Sequence, residues 1–223
     1  RCSEQIQSPY IVESEGVYYM FYGGVTAGLM DADGNLTDVA DMDDRSSHID
    51  TTHECQICLM TSEDGRHWTR HRDENGYSRL FVGPGTDRDP CVIEIDGQWY
   101  MYYIGYEGDG STNNGFVCRT SKDLVNWSDW TVVHRDDRFG GSPHYRCECP
   151  HVVYRDGYFY LFRTEEYYGH RTHVFRSETP MDFGVGDATD KYVGYIPAAA
   201  AEIYWGGGQE YICTNYHPPP DTD

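Results

Sequence analysis

The chain has no run of about 18 apolar residues, so nothing in it is expected to span a membrane. Basic residues are scarce: 17 Lys and Arg stand against 37 Asp and Glu, a formal net charge of −20. A surface of that sign repels polyanions, which argues against nucleic acid and anionic lipid as partners. Beyond that, acidity speaks to solubility. An initiating Met and a signal peptide are also missing before Arg1, and the chain stops in Pro218-Pro219-Pro220-Asp221-Thr222-Asp223. The expectation is an incomplete or processed piece.

What is abundant is β-forming material. Tyr supplies 20 residues, and 24 Gly and 10 Pro punctuate the rest, which is the profile of an all-β protein. Four segments align without gaps, starting at Ser8, Asp89, Cys149 and Ala200. With Pro9, Pro90, Pro150 and Ala201 as origins, Gly16, Gly97, Gly157 and Gly208 all fall at +7, and Tyr19, Tyr100, Tyr160 and Tyr211 at +10. The pattern reads as a strand, a tight turn that needs Gly, and a second strand whose Tyr packs inside. A further strand and turn follows: Met60 to Trp68 matches Arg119 to Trp127, with Ser62 and Ser121 each six residues before the Trp, and Phe175-Arg176-Ser177 is a shorter version.

Four short strands per unit in serial copies predict a β-propeller, with about three blades and part of a fourth within residues 1–223. A β-sandwich is the competing fold, but it does not call for identical register in every copy. Closure of a ring then calls for sequence beyond one or both ends.

The first repeat is lengthened by an acidic insertion near 26–52. Within it Asp31, Asp33 and Asn35 sit at alternate positions, as in calcium loops, but Gly34 comes two places early and Met42 stands where a bidentate Glu belongs. A solvated loop is the expected reading. Of eight cysteines, Cys55 and Cys58, near His53, could suggest zinc together with Cys147, Cys149, His144 and His151. Strand alternation splits Cys55 from Cys58, so buried thiols or a disulfide are expected ahead of a metal, and no metal is assigned. Asn35-Leu36-Thr37 and Asn126-Trp127-Ser128 are glycosylation sequons, meaningful only in a glycosylating source.

In a propeller the first strand of each blade lines the central funnel. The residues before each origin are therefore neighbours around one mouth: Gln7-Ser8, Arg88-Asp89, Glu148-Cys149 and Ala199-Ala200. Two adjacent copies carry a carboxylate there, with Arg88 beside them. Glycosidic cleavage uses such a pair, one carboxylate ionised against an oxocarbenium-like centre and one protonated to serve the leaving oxygen. Simple pairing of Arg88 with Asp89 at a strand end is the alternative. Tyr10, His144, His151 and Trp205 are candidates to stack on or bind a sugar, with ordinary blade packing the competing reading. Arg163, after the second strand of the third repeat, is a further candidate. Trp68 and Trp127 recur at blade ends and read as structural.

Asp87-Arg88-Asp89-Pro90, followed one repeat later by Glu148-Cys149-Pro150, resembles the Arg-Asp-Pro and Glu-Cys motifs of glycoside hydrolase family 32. Blade phrases such as Thr120 to Trp130 are similar to those of the wider furanosidase superfamily, with families 43 and 68. The resemblance covers nearly the whole chain. It implies a five-bladed propeller acting as a glycoside hydrolase on furanoside-type oligo- or polysaccharides, with no cofactor, in an extracellular or periplasmic location. It implies Asp89 as transition-state stabiliser, Arg88 as a contact to sugar hydroxyls, and Glu148 as general acid/base. These families also carry an Asp nucleophile or base about two repeats before the Arg-Asp-Pro strand, a place that falls upstream of Arg1. The earlier repeat present here offers Ser8-Pro9, and a serine cannot replace that carboxylate. A non-catalytic carbohydrate-binding or assembly-forming propeller therefore stands as the alternative.

Overall fold

The computed structural model describes residues 5–25, 55–74, 78–81, 87–105, 115–136, 138, 147–165 and 171–215. The acidic insertion, including Asp31, Asp33 and Asn35, lies outside the described residues, as does His144. Among the described residues the structure is all strand and turn apart from one 3-10 turn at Thr189–Lys191.

The strands fall into serial antiparallel sheets. The first holds β1 (Gln5–Ser14), β2 (Val17–Val25), β3 (Cys55–Ser62) and β4 (Thr69–Arg70), in that order. The second holds β5 (Arg88–Ile95), β6 (Gln98–Gly105), β7 (Gly115–Ser121) and β8 (Thr131–Asp136). The third holds β9 (Glu148–Arg155), β10 (Tyr158–Glu165), β11 (Arg171–Ser177) and β13 (Tyr192–Ile196), and the fourth is a hairpin of β14 (Ala199–Gly206) and β15 (Gln209–Asn215). Each sheet begins at a predicted repeat, and the first strands β1, β5, β9 and β14 lie side by side. The described residues thus form three sheets of four or five strands and a fourth of two.

The turn glycines explain the register. Each β-hairpin turns on two residues of positive φ: Glu15 and Gly16 (52° and 80°), Asp96 and Gly97 (50° and 72°), Asp156 and Gly157 (51° and 84°), Gly207 and Gly208 (57° and 79°). Two left-handed residues make the turn that matches strand twist, and Gly takes that conformation without the Cβ clash. The recurring Ser-x-Asp phrase folds identically in two blades. Ser62 Oγ accepts from Asp64 N and Gly65 N while Asp64 accepts from Arg66 N and His67 N. Ser121 and Asp123 repeat this with Asp123 N, Leu124 N, Val125 N and Asn126 N. Trp127 then caps the turn, donating Nε1 to Leu124 O and meeting Phe21 edge-on at 5.8 Å, as a structural residue would.

Each sheet buries a face against its neighbour, and the second and third bury both. Phe21, Ile57 and Leu59 of the first pack on Val92, Met101, Tyr103 and Val117 of the second. Cys91, Tyr102, Phe116 and Cys118 of the second meet Val152, Leu161 and Phe175 of the third. Val153 and Phe162 of the third meet Ala201 of the fourth. The +10 tyrosines follow this order: Tyr19, Tyr100 and Tyr160 each pack toward the following sheet. The fourth, Tyr211, is 42% exposed and stacks on Tyr204 instead, because no described sheet lies beyond it. A short β12 (Val185–Gly186) from the third repeat pairs in parallel with β8 and covers that outer edge.

Among the described residues the seven cysteines, all but Cys2, are free; Cys55 and Cys58 are buried thiols, the first of the two outcomes expected. Described residues contain no group of three or more His, Cys, Asp or Glu arranged to hold a metal.

Two outcomes test this architecture. Gly157 has φ +84° with open space around its Cβ direction, whereas Gly194 has ordinary φ and equal room. Gly157→Ala is expected to cost about 1–2 kcal/mol in urea unfolding, and Gly194→Ala to cost nothing. The second concerns acid. Burial lowers His134 to about 3 and His151 to about 4, from 6.5. The unfolded chain takes up these protons below pH 6.5 while the folded chain refuses them until pH 4 or lower. Stability is therefore complete above pH 6.5 and falls toward pH 4, with a slope of up to about 1.4 kcal/mol per pH unit per histidine. His134→Gln should flatten that slope, and a wild-type profile level from pH 7 to 4 contradicts the account.

Candidate functional site

The head of every first strand carries the same irregularity. Pairing shifts register between Gln7 and Tyr10, between Arg88 and Cys91, between Glu148 and His151, and between Ala199 and Glu202. In each bulge the residue before the origin is left-handed: Ser8 at φ 48°, Asp89 at 55°, Cys149 at 50° and Ala200 at 49°. A bulge of this kind leaves one residue unpaired and re-aims side chains. Proline has no N–H to contribute to a ladder, so Pro9, Pro90 and Pro150 fit where no ladder partner is needed. The left-handed residues are all small, which limits the Cβ penalty.

Because the bulges are in register, side chains meet in tiers across blades. In the outer tier Arg88 Nη2 donates to Glu148 Oε1 at 2.9 Å. In the next, Asp89 accepts from Ser8 Oγ at 2.5 Å on one side and from Cys149 N at 3.1 Å on the other. Arg88 Nε also lies 4.0 Å from Asp89 Oδ2. Asp89 and Glu148 are each only 8% exposed. Burial alone would weaken the Arg88 charge, but the attraction of Asp89 and Glu148 outweighs it and raises its hold on the proton. One cation thus serves two buried carboxylates. β2 presses close behind: a Cβ on Gly23 would sit 3.0 Å from Cys55 Sγ and 3.2 Å from Arg88 Cβ. Gly23 gives the Arg88 stem its room.

One tier further in, Tyr10 hydrogen-bonds the Cys91 thiol, which also accepts from Val152 N at 3.3 Å and lies 3.8 Å from His151 Nδ1. His151 Nε2 lies 3.0 Å from Ile203 N. Burial pushes the Cys91 thiol up to about 12, so this tier is neutral. Tyr10 and His151 therefore stand directly beneath the carboxylates, with their polar atoms engaged by neighbours.

Two other candidates lie elsewhere. Arg163 is 1% exposed and donates to Asp136 O at 3.0 Å, between the second and third sheets. Trp205 lies at the hairpin end of β14, 57% exposed, with Nε1 donating to Glu210. Motif reading missed Ser8 as a donor and the Cys149 backbone N–H as a partner of Asp89.

No family model and no curated protein sequence matches the chain. Solved structures do match. The chain is similar to a thermostable family-43 glycoside hydrolase (14% identity, TM-score 0.62, 100% of this chain and 80% of that one). It is also similar to a Bombyx mori family-32 β-fructofuranosidase solved with sucrose (18%, 0.64, 94% of this chain and 42% of that one). A third is the Cellvibrio cellulosa α-L-arabinanase (16%, 0.60, 95% and 68%). The chain is all-β, a series of antiparallel sheets with the fold of these glycoside hydrolase structures. It spans about two fifths of the β-fructofuranosidase.

The shared cation generates a test. Arg88→Met leaves two buried carboxylates without their partner and is expected to cost about 3 kcal/mol at pH 7. Arg88→Lys, which keeps a cation at this place, should lose clearly less in urea unfolding. An equal loss in both variants would mean that packing of the guanidinium, not charge, is the origin.

Proposed function

We propose that this chain carries part of the site of a glycoside hydrolase acting on furanoside-type or related oligo- and polysaccharides. The observation that supports it is the Arg88–Asp89–Glu148 constellation, built from two adjacent bulges and joined across blades at 2.9 Å. Nothing in the packing of the strands requires these three residues at this place, since the other two bulges hold Gln7-Ser8 and Ala199-Ala200 and form the same turn.

In this reading the propeller has five blades, and the site opens at the mouth they share. Asp89, held by Ser8 and the Cys149 N–H, opposes the positive charge that grows at the anomeric carbon. Arg88 turns to sugar hydroxyls, and Glu148, released from it, takes up a proton and delivers it to the leaving oxygen. A neutral sugar suits so acidic a chain only where hydrogen bonds, not charge, supply the affinity. The similar structures fit: one family-43 enzyme from Xanthomonas citri was solved with xylose and the β-fructofuranosidase with sucrose. Polymeric substrates go with a location outside the cell or in the periplasm.

A second reading rests on Ser8. The bulge of β1 presents a hydroxyl that hydrogen-bonds Asp89, not a carboxylate that could attack or activate water. A propeller that binds carbohydrate without turning it over accounts for that.

Turnover of fructan, arabinan and xylan oligosaccharides separates the two. Under the first reading Glu148→Gln lowers kcat at least about a hundredfold with little change in KM. Unchanged activity removes Glu148 from the role of acid, and binding without turnover in the wild type favours the second reading.

A further inference from the structure

At the end of the blades away from the mouth, the second and third sheets part around a cavity of about 350 Å³. Ile95, the last residue of β5, and the buried Phe159 on β10 give it apolar walls. Tyr100 comes from the second sheet and Tyr154 from the third, its ring 4.7 Å from that of Phe159. Tyr154 is 53% exposed, so most of one ring face is open. Asp96, in the turn between β5 and β6, and Glu178, just past β11, bring the charge. The segment that bears Glu178 is fixed on both sides. Thr179 N donates to Ser177 Oγ at 3.2 Å, and Tyr102 Oη donates to Pro180 O at 2.9 Å across the two sheets. β5 rises roughly 20 Å from Arg88 to Ile95, which sets this cavity well apart from the Arg88–Glu148 pair.

We propose that this cavity binds a small organic cation, an ammonium group on an apolar stem, with its charge toward Asp96 and Glu178 and its stem against Tyr154 and Phe159. The proposal is independent of the carbohydrate reading of the mouth.

Charge decides the class of ligand. Both charged groups that line the cavity are carboxylates, and neither has a hydrogen-bond or ion-pair partner among the described residues. The basic side chains of the neighbouring turns are engaged elsewhere. Lys122 donates to Gly97 O, Arg155 pairs with Glu210, and Arg176 lies over the Tyr158 ring. An anion here would meet two like charges, and a neutral molecule would leave them uncompensated. A cation compensates them, and the net charge of −20 draws it in from a distance. The open face of Tyr154 adds cation–π attraction. A bare metal ion is a poorer fit, because the apolar walls offer it no oxygen ligands and the described residues hold no cluster of three metal-binding groups. At about 30 Å³ for each water-sized group, the cavity has room for about a dozen non-hydrogen atoms.

The test is an NMR titration of the 223-residue chain with phenethylammonium, with phenethyl alcohol and xylose as neutral controls. The ammonium should move the signals of Tyr154, Gly157, Phe159 and Glu178 and leave those of Ser8, Asp89 and Cys149 in place. It should bind at least about fivefold more tightly than the alcohol, with an affinity that falls as salt rises. Glu178→Gln and Asp96→Asn should each weaken the ammonium about threefold and leave the alcohol unchanged. Both positions are exposed, and Asn tolerates the left-handed backbone at 96, so neither change threatens the fold. Tyr154→Ala should weaken both ligands. Equal affinity for ammonium and alcohol overturns the recognition of charge. Absence of shifts around Tyr154 and Glu178 overturns the site. Xylose binding there more tightly than the ammonium overturns the ligand class in favour of a neutral sugar.

Discussion

Everything at the candidate site depends on a bulge closed by a left-handed residue at the head of each blade's first strand. Without it, side chains at successive positions would alternate between the two faces of a sheet, and in the second and third sheets both faces are buried against neighbours. The bulge breaks that alternation and lets residues at −2, −1 and +1 address neighbouring blades at the mouth. Four small residues take the left-handed conformation, each at a cost of about 1–2 kcal/mol. Asp89 and Cys149 recover part of this, because the same turn that strains the backbone points the Cys149 N–H at the Asp89 carboxylate.

The apolar layers between blades make the bulges comparable. Phe21, Leu59, Met101 and Tyr103 hold the first two sheets in one fixed relation, and Tyr102, Phe116, Leu161 and Phe175 hold the next two. Interiors packed this densely do not slide by small amounts. A cation on β5 therefore meets a carboxylate on β9 at hydrogen-bond distance although 60 residues separate them. Gly23 shows how tight the fit is: β2 approaches Arg88 so closely that any side chain there would press on the stem of the guanidinium.

Much of this was legible in the sequence because it repeats. The +7 glycines mark backbone geometry that few residues tolerate, and the Ser-x-Asp phrase encodes a hydrogen-bond network using its own side chains. Local chemistry of that kind survives in the letters. The side-chain partners at the mouth were less legible, because they are contacts between blades. Ser8 looked like an absent carboxylate; in three dimensions it is a donor to Asp89. Arg163 sits on a second strand that heads toward the mouth, and only the packing of Asp136 and His134 behind it shows that its guanidinium is enclosed.

The charge balance carries the last step. Arg88 is one positive charge against Asp89 and Glu148, and the residues beneath them are neutral. In the unliganded site the Arg88–Glu148 pair favours the ionised form of both partners. A glutamate so paired is a poor acid, and it becomes a good one only when the cation moves away or a further negative charge approaches. A sugar that draws Arg88 onto its hydroxyls does the first. Protonation in such a site is a property of the group of carboxyls together. In the proposed hydrolase, ligand binding sets which of them carries the proton, so that substrate recognition and acid strength arise from the same neighbouring blades.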